Sequence, residues 1–298
     1  MNSARSRASL AVRARCALGE GATWCARTGR FYWTDIEGAR LHRFDPQTGE
    51  RASWAMPERL ATFALCADPH YLLVGLATHL AFFDLTTGDM RRIVDVEPQL
   101  DTRLNDGRCD RQGRFVFGTK HEGADLRPIG GFYRLGRDVS LERLPLPSPA
   151  ISNSIAFSPD GATMYFCDSP TREILACDYG ADGSVGNVRV FARLTDASGV
   201  PDGSTVDAEG GLWNAQWGGG RVVRYGPDGV ETDRVSVPTS QPSCVALGGP
   251  HLATLYITTA RVELDAAALA AEHGAGGIFT APSGRRGLAE PLFVGEWR

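Results

Sequence analysis

Short apolar runs, each cut off by Gly, Asp or Thr, recur along the whole chain. In order they are Arg30-Phe31-Tyr32-Trp33-Thr34-Asp35, His70-Tyr71-Leu72-Leu73-Val74-Gly75 and Arg114-Phe115-Val116-Phe117-Gly118-Thr119, followed by Thr163-Met164-Tyr165-Phe166-Cys167-Asp168, Gly211-Leu212-Trp213-Asn214-Ala215-Gln216 and Thr254-Leu255-Tyr256-Ile257-Thr258-Thr259. Their spacing, roughly 40 to 50 residues, is the period of propeller blades. Turns such as Asp110-Arg111-Gln112-Gly113 or Pro159-Asp160-Gly161 precede several of them. A further strand follows, as in Ala39–Phe44, Leu80–Phe83 and Arg221–Tyr225, and ends in a hairpin signal such as Asp45-Pro46-Gln47-Thr48-Gly49. Only Val262–His273 carries helical spacing.

Six such units with no break in composition predict an all-β chain, a single six-bladed β-propeller over residues 10–298 behind a disordered lead-in of residues 1–9. Two packed sandwiches are the architectural alternative. A ring must close, so a strand near Leu10–Cys16 is expected to pair with one near Leu292–Gly295, removing free sheet edges.

Composition narrows the class. A balance of 31 basic against 35 acidic residues gives −4, which argues against nonspecific nucleic-acid binding. No apolar run reaches the length of a membrane span, and residues 1–15 have arginines but no apolar core of a secretory signal. The seven cysteines are odd in number and scattered through strand-like runs. They read as buried free thiols of a cytoplasmic protein. With no Cys-x-x-Cys pair and no Cys/His cluster at zinc spacing, a thiolate metal site is not expected, nor is one built from the six dispersed histidines.

Four polar segments stand immediately before inner strands, where a propeller's channel opens: Leu18–Trp24, Thr102–Asp110, Ile151–Gly161 and Pro201–Ser204. The last reads as a tight turn, with Pro201 fixing φ and Gly203 supplying positive φ so that Asp202 is presented rigidly. Glu20, Asn153 and Asp202 offer two carboxylates and an amide oxygen, donors suited to a hard or borderline divalent cation. Arg103 and Asn105 could hold sugar hydroxyls or a developing oxyanion. The same residue types also serve simply to bond loop backbones. Asp35 and Asp168, at equivalent strand ends, read as hydrogen-bonding residues of that second kind.

The motifs Leu18-Gly19-Glu20-Gly21, Asn105-Asp106-Gly107, Asn153 before Phe157-Ser158-Pro159-Asp160-Gly161, Pro201-Asp202-Gly203 and Trp217-Gly218-Gly219-Gly220-Arg221-Val222 occur in order from about residue 18 to 282. In this the chain resembles the SMP-30/gluconolactonase family, which includes regucalcin and bacterial sugar-acid lactonases. The resemblance implies hydrolysis of a sugar lactone, a small-molecule substrate, with one divalent ion (calcium, zinc, manganese or ferrous iron) held by Glu20, Asn153 and Asp202. It further implies Asp202 as general base and Arg103, Asn105 and Glu122 as substrate contacts. Apart from the resemblance, His121 lies next to Glu122 in sequence, where it could touch substrate. Ser154 and Ala22 stand where the family commonly has Gly and Pro, which bears on loop shape more than on ligands. The alternatives are a hydrolase of broader lactones, esters or organophosphates, and a noncatalytic propeller that binds calcium or another ligand.

Overall fold

The computed structural model describes residues 4–195 and 199–295. They form six sheets, antiparallel except for one added edge strand, arranged as a β-propeller. The strand nearest the axis in each blade is, in order, Gly19–Cys25, Leu60–Leu65, Thr102–Cys109, Ser152–Phe157, Val200–Val206 and Pro242–Gly248. These six lie side by side around the central channel. The repeats read from the sequence are the second strands, beginning with Arg30–Asp35 and ending with Thr254–Thr259. The polar segments are therefore not loops ahead of the innermost strands; they are largely those strands themselves.

The strands form because β-branched and aromatic residues can bury both faces of a sheet sandwiched between neighbours. Six buried clusters result, one between each pair of adjacent blades. Phe63 and Leu72 of blade 2, for example, meet Tyr32 and Leu41 of blade 1, and Phe157 and Phe166 of blade 4 meet Phe132 of blade 3. The helical signal contracts to Ala266–Ala271, whose first turn is capped by Asp265 accepting from the Ala268 amide at 2.8 Å.

Closure differs from the expectation. Ser9–Val12 completes blade 6, but its antiparallel partner is Ile278–Pro282, with Leu10 opposite Phe279. The lead-in is taken up as well: Ala4–Arg7 runs parallel to Glu231–Ser236 as a fifth strand of blade 5. The stretch near Leu292 does other work, because the chain after blade 6 crosses the end of the channel away from the polar segments. Gly287 bridges to Asp207, Glu290 pairs with Arg108, and Phe293 accepts from Ala67 and donates to Leu65 O at 2.8 Å. No helix among the described residues is long and apolar enough to cross a membrane.

Candidate active site

All six innermost strands are bulged near their N-terminal ends, between Glu20 and Thr23, Leu60 and Thr62, Leu104 and Gly107, Asn153 and Ala156, Pro201 and Ser204, and Pro242 and Val245. A bulge re-aims side chains that strict alternation would send between the blades. In blades 1, 3, 4 and 5 it falls at Glu20, Asn105, Asn153 and Asp202. Asp202 thus sits on a bulged strand rather than in a tight turn. Gly203 is needed for close approach, not for positive φ, since a Cβ there would meet the Cys244 side chain and backbone at 2.5 to 2.9 Å. The equivalent bulge positions in blades 1 and 4 do take the left-handed region, Gly21 at φ 63° and Ser154 at φ 61°. Ser154 tolerates it because it is bonded in place: its hydroxyl donates to the Asp202 carbonyl at 2.7 Å and accepts from Asn214 Nδ2 at 3.0 Å.

Glu20, Arg103, Asn105, Asn153 and Asp202 line a single cavity of about 370 Å³, at the small end of ligand pockets. Apolar side chains line it too, from Leu18, Leu126, Ile151, Val200, Trp217 and Val262, with Glu263 beside them. A larger open groove of about 600 Å³ beside Trp24 and His251 lies toward the far ends of the strands and contains none of these groups.

A continuous polar chain orients the set. Arg103 Nη1 donates to Asn105 Oδ1 at 2.8 Å, and Asn105 Nδ2 donates to Asn153 Oδ1 at 3.1 Å and to Ser152 O at 2.8 Å. Asn153 Nδ2 in turn donates to Ser169 Oγ at 2.9 Å, and that hydroxyl donates to Pro201 O at 2.7 Å. The Asn153 amide is therefore held nitrogen toward blade 5, leaving an oxygen lone pair for the cavity. Glu122 stands behind the wall: it pairs with Arg103 Nε at 3.2 Å, too poorly aligned for a hydrogen bond, and with Arg59. His121, the last residue of the strand Phe115–His121, is buried beside it, its Nδ1 accepting from the Arg127 amide at 2.9 Å. Asp35 and Asp168 do tie strand starts, Asp35 accepting from the Leu18 amide at 3.0 Å and Asp168 from the Ile151 amide at 2.9 Å.

Two charged groups near the axis were not singled out from sequence. Lys120 lines the cavity opposite Arg103 in the strand register. Burial holds its ammonium below the ordinary range, with Arg103 adding to the effect. Asp106, at the bulge after Asn105, accepts from the amides of Gly107 and Ile155, both at 2.8 Å. Its carboxyl is raised by burial.

The acids are the electrostatic signature of the site. Burial pushes the Glu20 carboxyl up to about 8, with the Asp106 charge adding. Burial and then the Glu20 and Asp106 charges hold Asp202 well above the usual carboxylate range. Against this, Glu20 accepts one backbone N–H, from Gly21 at 3.3 Å, and the neighbouring Gly203 amide only partly offsets the rise at Asp202. Buried carboxylates that repel one another and are so sparsely bonded are stabilised when a cation sits among them. With the remaining lone pair of Asn153 Oδ1, the donor set fits a divalent ion of oxygen preference.

Residues 18–261 match the SMP-30/gluconolactonase/LRE-like region. The chain is 63% identical over 292 residues to an L-arabinolactonase of Azospirillum brasilense, covering 98% of this chain and 97% of that protein. It is 36% identical over 288 residues to a 6-deoxy-6-sulfogluconolactonase of Pseudomonas putida, covering 95% and 97%. Its fold superposes with a TM-score of 0.90 on the crystal structure of a calcium-binding regucalcin from Agrobacterium tumefaciens, at 32% identity over 98% and 99% of the two chains.

Proposed function

Because the chain belongs to the SMP-30/gluconolactonase/LRE-like family, we propose that it hydrolyses a sugar lactone to the aldonic acid, with L-arabinolactone, the substrate in the Azospirillum relative's name, preferred. The observation that carries this reading is the convergence of Glu20, Arg103, Asn105, Asn153 and Asp202 from four blades on one small cavity. A divalent cation of the calcium, zinc, manganese or ferrous class would be held by Glu20, Asn153 and Asp202 and would polarise the lactone carbonyl.

The chain's own groups supply the proton transfers. Asp202, made more basic by its surroundings, takes a proton from water as the oxygen adds to the carbonyl carbon. Arg103 and Lys120 offset the charge that develops on the carbonyl oxygen. As the ring C–O bond breaks, the proton passes from Asp202 to the departing ring oxygen. Asn105 has both amide hydrogens committed to Ser152 and Asn153, so it meets substrate as an acceptor for a sugar hydroxyl. Glu122 acts through Arg103, holding the guanidinium against the wall. The seven free, buried cysteines support a reducing, cytoplasmic setting.

A panel of lactones followed with a pH indicator tests the reading. Proton release fastest on L-arabinolactone, lost with chelator and restored by a divalent ion, is the expected result. Absence of release on any lactone would leave a binding propeller, and turnover insensitive to chelation would remove the cation.

A further inference from the structure

Outside the mouth, in blade 1, three side chains of different ligand chemistry meet. One donor atom each from the Cys16 thiol, the Asp35 carboxylate and the His42 imidazole lies within 4.8 Å of the other two. Cys16 is 1% exposed and Asp35 8%, while His42 is half-buried. They come from the segment before blade 1, the end of its second strand and the middle of its third. We propose that Cys16, Asp35 and His42 form a metal site for a thiophilic divalent cation of the zinc or cobalt class, independent of whatever the mouth holds.

The ligand types are those zinc takes, and a thiol–imidazole pair disfavours calcium or magnesium. With bonds of about 2.0 to 2.3 Å, donors around one tetrahedral ion stand about 3.3 to 3.8 Å apart, so atoms within 4.8 Å of one another need to close by at most about 1.5 Å. Side-chain rotation covers that distance. The surrounding groups suit a charged ligand set. The Trp33 indole N–H donates to Cys16 Sγ at 3.3 Å, and its ring stacks on His42 with centroids 5.0 Å apart. Asp35 Oδ1 accepts from Leu18 at 3.0 Å and Gly38 at 3.1 Å, and Oδ2 from Ala17 at 3.1 Å. Such outer bonds fix ligand orientation and tune the ion. Without a cation, burial pushes the thiol up to about 12, with the Asp35 charge adding, so the sulfur keeps its proton; binding transfers that proton to solvent as the sulfur–metal bond forms. Burial holds the imidazole below its ordinary range, neutral and ready to ligate. A fourth position would fall to water on the half-buried His42 side.

The test uses the full chain, stripped with chelator and titrated with cobalt(II). Wild type is expected to develop a near-ultraviolet sulfur-to-cobalt charge-transfer band. By equilibrium dialysis with zinc it should hold one equivalent more than Cys16→Ser or His42→Ala. Those variants should lose the band while still hydrolysing lactone. The double variant Glu20→Gln/Asp202→Asn should keep the band, which separates this site from the mouth. No sulfur–cobalt band in wild type, or equal zinc stoichiometry in wild type and Cys16→Ser, would overturn the proposal. The wild-type spectrum decides the matter even if a variant fails to fold.

Discussion

The two ends of the channel solve the same problem in opposite ways. Both bury charge on the axis. At the closed end Arg108 meets Glu290, donates to Ser204 O at 2.8 Å and to Ile155 O at 3.3 Å, and is roofed by the C-terminal segment. At the open end Glu20 and Asp202 repel each other, and Glu20 accepts only the Gly21 amide, at 3.3 Å. The closed end is electrostatically finished and the open end is not. Unbalanced charge in a cavity marks the end where a ligand supplies what the fold withholds.

Substitutions at the two ends should therefore fail differently. The largest effect is expected from Asp202→Asn: kcat falls by about 10²- to 10⁴-fold, as for loss of a general base. Thermal unfolding of the metal-free variant should not drop, because a repelling charge has been removed. Near-wild-type turnover would take Asp202 out of the chemistry. At the other end, Glu290→Ala strands Arg108 and should cost about 3–5 kcal/mol in urea denaturation, with kcat of the folded protein unchanged.

The pH dependence of the metal-free protein sharpens the contrast. Glu20 is raised from 4.5 to about 8, so the folded state holds a proton the unfolded state has released across that interval. The contribution of Glu20 to stability should be fullest below pH 4.5, fall as pH rises toward 8 and be gone above it, a slope that Glu20→Gln should remove. Saturating divalent ion should flatten that slope; a slope unchanged by the ion would place the ion elsewhere. Smallest of all, Ser154→Ala keeps the left-handed backbone but loses the bond to the Asp202 carbonyl. About 1 kcal/mol of stability and a few-fold in kcat should go with it, and Asn214, still bonded to that carbonyl at 2.9 Å, limits the damage.

The six repeats were legible because each second strand buries both faces, which leaves an uninterrupted apolar run in the sequence. The innermost strands were misread as loops because the bulges bring Gly and polar residues into strand interiors, where composition imitates a turn. Glu20, Asn153 and Asp202 could be picked out as oxygen donors beside those glycines, and they do line one cavity. Lys120 escaped because nothing local marks it; only the register that sets it opposite Arg103 brings it to the wall. Cys16, Asp35 and His42 lie at no zinc spacing, and they meet because one blade folds back on itself twice. The closure partner was misplaced for a related reason: Leu292–Gly295 is strand-like in composition, yet its apolar Phe293 is used under blades 2 and 3.

The seam that completes blade 6 sets when this molecule can become whole. Ser9 bonds Thr280 across 271 residues of sequence, so the last sheet acquires its outer strand only after nearly all of the chain has left the ribosome. Until then the early blades wait with an open flank, a long-range contact that slows folding and leaves the nascent protein vulnerable to sticking to its own copies.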